Sequence, residues 1–330
     1  MENFKAYRIR ELDKKISARF EEMTVSELDP GDVVIRVAYS SVNYKDALAA
    51  TGAGRVIRRF PCVGGIDMSG TVVESSDSRF AKGDAVIATS YDLGVSRDGG
   101  FAQYARVPAE WIVHMPPGMT LFEAMALGTA GYTAALGVMR MEQNGLKPAG
   151  GPVVVNGATG GVGSIAIDIL SRLGFAVTAL TGKESETGYL KGLGAKDVML
   201  RSSIDFSKIK PMDKTLWAGA VDNLGGEALS WLMSTMQQSG TIACIGNASS
   251  FNFSATVFPL ILRGVSLLGI DSGYTPMPLR SEAWRRLSTD MKPAHLEELT
   301  VTVPFAELGG TFDRLIKGQM RGRYVVDMTA

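Results

Sequence analysis

Two short stretches of this chain combine residue types and spacings suited to chemistry. The first runs Asn156-Gly-Ala-Thr-Gly-Gly-Val-Gly163, after the valine run Val153–Val155 and before the apolar helix pattern SIAIDILSRLG. Gly160 and Gly163 stand three apart, with Gly161 between them. Glycines at that spacing let the backbone approach a pyrophosphate and let the helix pack on the strand, while the first helical amides face the anion. A second strand pattern, AVTAL, follows in the order dinucleotide binding requires. A tight turn of purely structural purpose is the plainer alternative. After that second strand, proteins that grip a bare ribose place an aspartate or glutamate. Here the residues are Thr181, Gly182 and Lys183, and Arg201 stands one strand further on. A carboxylate would repel a 2′-phosphate, whereas lysine offers a point charge and arginine a fork of donors. The expected cofactor is therefore NADPH; the alternative is that both cations are ordinary solvated charges.

The second stretch is SSVNYKDALAATG, in which Asn43 and Tyr44 follow a strand pattern, in a loop placed to face a cofactor. They are the candidate catalytic residues. Lys45 and Asp46 are close enough in sequence to pair. Asn43 as the N-cap of a helix, with Asp46 in its first turn, is a structural reading compatible with function.

Metal ligands are scarce. The chain has two histidines, His114 and His295, and two cysteines, Cys62 and Cys244. Zinc needs three or four converging donors, and Asp67 and Glu74 add too little, so no metal is expected. His114 reads as a strand-edge residue, His295 as part of a surface helix, and the cysteines as small core residues. A metal-free hydride enzyme can reduce a conjugated C=C bond. Hydride adds to the β-carbon, and charge spreads to a carbonyl oxygen that amides or hydroxyls can stabilise. An acid or water then protonates the α-carbon.

The elements that must position these residues fall into three zones. The first 125 residues are β-rich, with β-branched runs such as MSGTVVES and DAVIATS separated by turns. At Leu121 a helical pattern begins, with Thr120 and Glu123 spaced as a capping box. Strands and helices then alternate through WAGAVDNLG, GTIACIGNA and GVSLLGID, the signature of a parallel doubly wound sheet. After about residue 298 mixed β and α patterns return and rejoin the first zone. The expected fold class is α/β, with one domain from 1–125 and 299–330 and a second from 126–298.

Composition sets outer limits. The 330 residues carry 34 basic and 34 acidic side chains. Zero net charge with no basic block argues against nucleic acid or an anionic membrane as partner. The N-terminus is charged and lacks an apolar signal core. No uninterrupted run nears the roughly 18 apolar residues of a spanning helix. A cytoplasmic protein with a small-molecule substrate is expected.

In combination, SSVNYKDALAATG, PCVGGIDMSGTVV, LGTAGYTAALGV, the glycine turn with its flanking strands, LKGLGAKDV and the terminal GRYVVDM resemble the medium-chain dehydrogenase/reductase superfamily. The likeness is closest to its zinc-free quinone-oxidoreductase branch, and within that to the bacterial acrylyl-CoA reductases. The resemblance implies a GroES-like catalytic domain around a Rossmann NADP-binding domain, and reduction of a short enoyl-CoA, acryloyl-CoA to propionyl-CoA. It further implies Tyr44 beside the nicotinamide and Thr159, Gly160, Gly161 and Val162 on the pyrophosphate. Thr181, Lys183 and Arg201 would hold the 2′-phosphate. Ile245, Gly246, Ile270 and Ser272 would line the nicotinamide channel, and Arg323 would close the cleft. A homodimer through GVSLLGID is implied as well. Where zinc-containing members carry Gly-His-Glu, this chain has Gly65-Ile66-Asp67. Where other zinc-free reductases place a catalytic tyrosine, ATGAGRVIRRF has none, leaving solvent as the candidate proton donor. Arg55, Arg58 and Arg59 are candidates for the phosphates of CoA, or a solvated turn. A quinone or enone reductase of the same fold and a non-catalytic NADPH-binding protein are the competing readings.

Overall fold

The computed structural model describes residues 3–329. In chain order the strands are β1 (Phe4–Leu12), β2 (Lys15–Met23), β3 (Val33–Ser41), β4 (Cys62–Val63), β5 (Asp67–Ser75), β6 (Ala85–Thr89), β7 (Tyr104–Val107), β8 (Ile112–His114), β9 (Val153–Asn156), β10 (Val177–Thr181), β11 (Asp197–Leu200), β12 (Trp217–Asp222), β13 (Met236–Cys244), β14 (Ser266–Gly269), β15 (Thr300–Pro304) and β16 (Arg323–Asp327). The helices are α1 (Tyr44–Thr51), α2 (Leu121–Gln143), α3 (Gly161–Arg172), α4 (Thr187–Gly192), α5 (Gly226–Thr235), α6 (Phe258–Arg263), α7 (Met277–Leu287) and α8 (Leu308–Ile316). They form two compact units. The first comprises the chain up to Thr129, Gly273–Trp284, and the chain from Leu296 onward; the second comprises Ala130–Ser272 and Arg285–His295.

The first unit holds a three-stranded sheet, β2-β1-β4, and a seven-stranded sheet in the order β15-β16-β3-β5-β6-β8, with β7 also paired to β3. On β3, Val33, Ile35 and Val37 are buried on one face; on the other, Val34 is buried as well and Arg36 is exposed. The end of the chain returns as β16, antiparallel to β3. The core gathers Val33, Ile35, Met68, Phe101, Phe305 and Phe312.

The second unit is a six-stranded sheet in the order β11-β10-β9-β12-β13-β14, with every pairing parallel. The chain winds outward from β9 to β11, then returns to start again at β12. The switch point where ligands bind such sheets therefore lies beyond the carboxyl ends of β9 and β12. On α3, Ile165, Ile167, Ile169 and Leu170 are buried.

The capping box before α2 forms as expected. Glu123 N donates to Thr120 Oγ1 at 3.1 Å and Thr120 N donates to the Glu123 carboxylate at 2.8 Å. By length and composition alone, α2 is long and apolar enough to cross a membrane. Its apolar window is 78% buried within the protein, and Gly128 breaks its helical geometry at φ 53° and ψ −157°. It is built as a kinked core helix.

Gly273–Trp284 joins the first unit through Arg280 and through bonds of Tyr91 and Asp92 to Gly273 and Tyr274. Arg280 Nη1 donates to the Thr89 carbonyl and to Thr89 Oγ1, both at 3.0 Å. Its guanidinium lies 4.2 Å from the centre of the Tyr91 ring, which stacks on Trp111.

Candidate active site

Each unit carries a cluster of candidate residues. In the second unit, all of them follow the carboxyl end of a strand. Thr159 to Val162 follow β9, Thr181 ends β10 with Lys183 just beyond it, and Arg201 follows β11. Ile245 and Gly246 follow β13, and Ile270 and Ser272 follow β14. Gly160 is the N-cap of α3, so the amides without helical partners begin there. The turn needs its glycines. A Cβ on Gly163 would lie 2.4 Å from the Gly157 carbonyl oxygen, and Gly157 has φ +57°, a region few other residues adopt.

Arg201 lies near the turn that carries Lys183. Thr181 Oγ1 accepts from Lys183 N at 3.0 Å, which closes the turn after β10. A Cβ on Gly182 would stand 3.5 Å from Arg201 Nη2, so the arginine lies alongside that turn. No carboxylate occupies positions 181–183. The residues fit a dinucleotide with a phosphate at its ribose: a cradle that a Cβ would fill, followed by two cations and a hydroxyl.

The first-unit cluster is built around Asp67, at the start of β5. Its carboxylate accepts from Ser41 Oγ at 2.5 Å, Asn43 Nδ2 at 2.8 Å, Thr129 N at 2.8 Å and Thr129 Oγ1. Asp46, on the first turn of α1, accepts from Asn43 N at 2.9 Å and Ile66 N at 3.0 Å. The expected N-cap is present, but Asp46 turns inward and Lys45 is exposed, so the local pair is replaced by buried bonds. Arg323 is 3% exposed. Its Nε donates to the Ala126 carbonyl at 2.9 Å, and its Nη1 reaches Val42 O and Asn43 Oδ1 at 3.3 Å. Arg323 is thus held within a buried polar cluster. Asn43 likewise spends its amide on Asp67, Asp46 and Arg323, which suits it to position Tyr44. Tyr44 itself is 51% exposed. Gly128 completes the cluster by leaving room: a Cβ there would come within 2.6 Å of Arg323 Nη2 and Ser41 Oγ.

Two buried carboxyls beside one guanidinium cannot both ionise at no cost. Burial first, then the Asp67 charge, pushes the Asp46 carboxyl from 3.8 up to about 7. Between those two pH values the folded protein keeps a proton that the unfolded chain has released. Stability therefore falls as pH rises across that window, by about 1.4 kcal/mol per pH unit at most, and this group adds no slope above about 7. Calorimetric melting at pH 5 and pH 7 should show a larger loss for the wild type than for Asp46→Asn. Equal losses would remove Asp46 from the account.

The metal-ligating residue types do not meet. Cys62 is buried, with Sγ near the Arg97 carbonyl at 3.2 Å, and burial raises its thiol to about 12. His114 ends β8 and stacks on Phe80. His295 lies in a turn, correcting the expected helix, and its N donates to Asp168 at 2.8 Å. Cys244 is only partly buried, correcting its placement in the core. Among the described residues no group of three or more His, Cys, Asp or Glu gathers to hold a metal, so zinc does not fit. Of the arginine cluster, Arg59 pairs with Asp29 and donates to the Ser96 carbonyl, while Arg55 and Arg58 are exposed.

Asp67, Asp46, Ser41 and Thr129 escaped the sequence reading as site residues. A buried acid beside the glycines of GGIDMSG was the available signal. So did Asn156 and Asp222, whose positions at the ends of apolar strands were the corresponding hint.

A doubly wound sheet with a phosphate-type turn, in one chain with an antiparallel β unit, is the build of a nucleotide-dependent dehydrogenase or reductase. Residues 29–117 match the alcohol dehydrogenase GroES-like domain and residues 161–289 the zinc-binding dehydrogenase domain. The chain belongs to the medium-chain dehydrogenase/reductase family of oxidoreductases, as its motifs led one to expect. YhfP of Bacillus subtilis, which goes under a quinone oxidoreductase name, is 46% identical over 98% of this chain and 99% of its own. Its crystal structure with NAD bound aligns at a TM-score of 0.97 and 45% identity, covering 99% of this chain and 100% of that one. The acrylyl-CoA reductase AcuI of Ruegeria pomeroyi is 42% identical over 96% of both chains. The YhdH oxidoreductase of Salmonella enterica in complex with NADP aligns at a TM-score of 0.95 and 42% identity, covering 98% of this chain and 99% of that one.

Proposed function

We propose that this protein reduces the C=C bond of a short enoyl-CoA with NADPH, and that acryloyl-CoA, giving propionyl-CoA, is its substrate. The observation that carries the reading is the donor set after β10 and β11, where Thr181, Lys183 and Arg201 stand in place of a ribose-binding acid. The likeness to AcuI supports the substrate. Bound NADPH supplies a hydride. Thr159 to Val162 hold the pyrophosphate on the amides that open α3, and Thr181, Lys183 and Arg201 hold the 2′-phosphate. Ile245, Gly246, Ile270 and Ser272 exclude water beside the nicotinamide. Tyr44, held by the Asn43 cap and the Asp46–Asp67–Arg323 cluster beside it, is the catalytic candidate of the first unit.

A quinone or enone reductase is the second reading, favoured by the likeness to YhfP. NADPH oxidation with acryloyl-CoA, crotonyl-CoA and 1,4-benzoquinone side by side tests both. Strong preference for acryloyl-CoA is expected. Turnover of the quinone alone would replace the thioester reading, and NADPH binding without turnover of any of them would mark a non-catalytic binder.

The protein is further proposed to be a homodimer through the outer strand β14, a sheet edge of the kind that recruits another strand. Exposed Phe251, Phe258 and Ile261 lie close to β14 in sequence. Light scattering is expected to give twice the chain mass; a monomer at all concentrations would overturn this.

A further inference from the structure

The second unit contains a buried polar bridge that none of the roles above uses. Asn156 ends β9 and Asp222 ends β12, and neither side chain has any exposure. Asn156 Nδ2 donates to Asp222 Oδ1 across the two strands. The other face of the Asn156 amide accepts from Asn223 N at 2.6 Å, and Asn223 Nδ2 donates back to the Asn156 carbonyl at 2.7 Å. The remaining acceptor positions of Asp222 take the Gly225 and Leu224 amides at 3.1 and 3.4 Å.

The bridge carries the loop after β13 with it. Ile245 N and Gly246 N both donate to the Asp222 carbonyl, at 2.9 and 3.2 Å, and Ala248 N donates to the Asn223 carbonyl at 3.3 Å. The fit is close on both sides. A Cβ on Gly246 would come 2.6 Å from Asn223 O, and one on Gly157 would come 3.0 Å from Asn223 Cβ. Asn223 thus lies between the glycine turn after β9 and the loop after β13. Both belong to the switch point of the sheet.

We propose that Asn156 and Asp222 are positioning residues that set the distance between the pyrophosphate turn and the Ile245–Gly246 loop, and so the seating of the nicotinamide half of the dinucleotide. This rests on the reading of the second unit as an NADPH site. Asn156 lies opposite Leu180 in the β9–β10 ladder, but the side-chain bonds of the bridge run to β12 and the residues after it, away from the ends of β10 and β11 that carry Thr181, Lys183 and Arg201. The bridge acts on one half of the cofactor and leaves the other alone.

The chemistry of the bridge makes a reciprocal test available. In Asp222→Asn the new amide must set its NH2 group against either the Asn156 Nδ2 donor or the Gly225 N–H, and Asn156 cannot turn over without losing the bond from Asn223 N. In the double exchange Asn156→Asp/Asp222→Asn the bridge itself is restored. The carboxylate introduced on β9 accepts from Asn223 N and from the amide introduced on β12, whose oxygen accepts from Gly225; only the long Leu224 bond is given up. Affinities for NADPH and for 2′,5′-ADP, which carries only the adenosine and its phosphates, are measured by calorimetric titration on the full chain. In Asp222→Asn the Kd for NADPH is expected to rise roughly tenfold or more, the loss of one charged hydrogen bond. The Kd for 2′,5′-ADP should stay within about twofold, and the double exchange should recover most of the NADPH affinity. Asn156→Ser removes the bridge from the other strand, should an exchanged protein not fold, and should show the same split. Equal weakening toward both ligands would make the bridge a plain stability element and overturn the proposal, as would unchanged affinity for both. Failure of the wild type to bind NADPH at all would instead overturn the cofactor reading.

Discussion

Arg323→Ala is expected to destabilise the protein by roughly 3–5 kcal/mol, the range for leaving a buried charge uncompensated. The guanidinium is the cation facing Asp67 and Asp46 and the donor to the Ala126 and Val42 carbonyls. Its loss strands Asp67 beside a second carboxyl and leaves two buried carbonyl oxygens short of a donor. A fall in calorimetric melting temperature on the order of 10 °C is expected. The deficit should depend on pH with a definite sign. Acidification neutralises the Asp46 carboxyl, which burial pushes up to about 7, so the gap between variant and wild type should narrow from pH 8 to pH 5. Arg323→Lys should recover part of the loss, since lysine restores the charge without the planar fork that reaches two carbonyls and Asn43 at once. A melting temperature within about 2 °C of the wild type at pH 8 would mean that the cluster is not charged as described.

The second large effect concerns cofactor choice. Lys183→Ala should raise the KM for NADPH by roughly 10- to 150-fold, the equivalent of about 1.5–3 kcal/mol for a hydrogen bond to a charged group. It should leave the KM for NADH nearly unchanged. Arg201→Ala should act in the same direction, and the two together should bring the kcat/KM values for NADPH and NADH close to each other. The comparison is pointed, because YhfP has been crystallised with NAD and YhdH with NADP. Equal losses toward both cofactors would sink the phosphate assignment and return Lys183 and Arg201 to the solvated surface.

Features of the fold that depend on neighbours in sequence are legible in the order of residues alone. The Thr120–Glu123 and Asn43–Asp46 caps span three residues each. The glycine turn needs only the strand before it and the helix after it. The βα alternation that yields the second unit follows from periodicity, because a strand buried on both faces and a helix buried on one leave different patterns of apolar residues. The replacement of an acid by Thr181, Gly182 and Lys183 is likewise a local fact with a local electrostatic consequence.

Tertiary structure alone decided what the remaining polar residues do. Asn43 meets Asp67 across 24 residues of chain, Thr129 meets Asp67 across 62, and Arg323 meets Asn43 across 280. Asn156 meets Asp222 across 66. No periodicity reports such pairs, since each partner taken singly is an ordinary polar residue. Their burial is what makes them matter. A carboxylate in water interacts weakly with a distant arginine, while in a dry interior the same two groups must find each other or remain neutral. The sequence by itself determined the family, the alternation of elements and the turn that receives a dinucleotide. The folded chain decided that Arg323 faces inward, that Asn43 is tied into a buried polar network, and that burial pushes the Asp46 carboxyl up to about 7, because each of these follows from which charges the fold removes from water together.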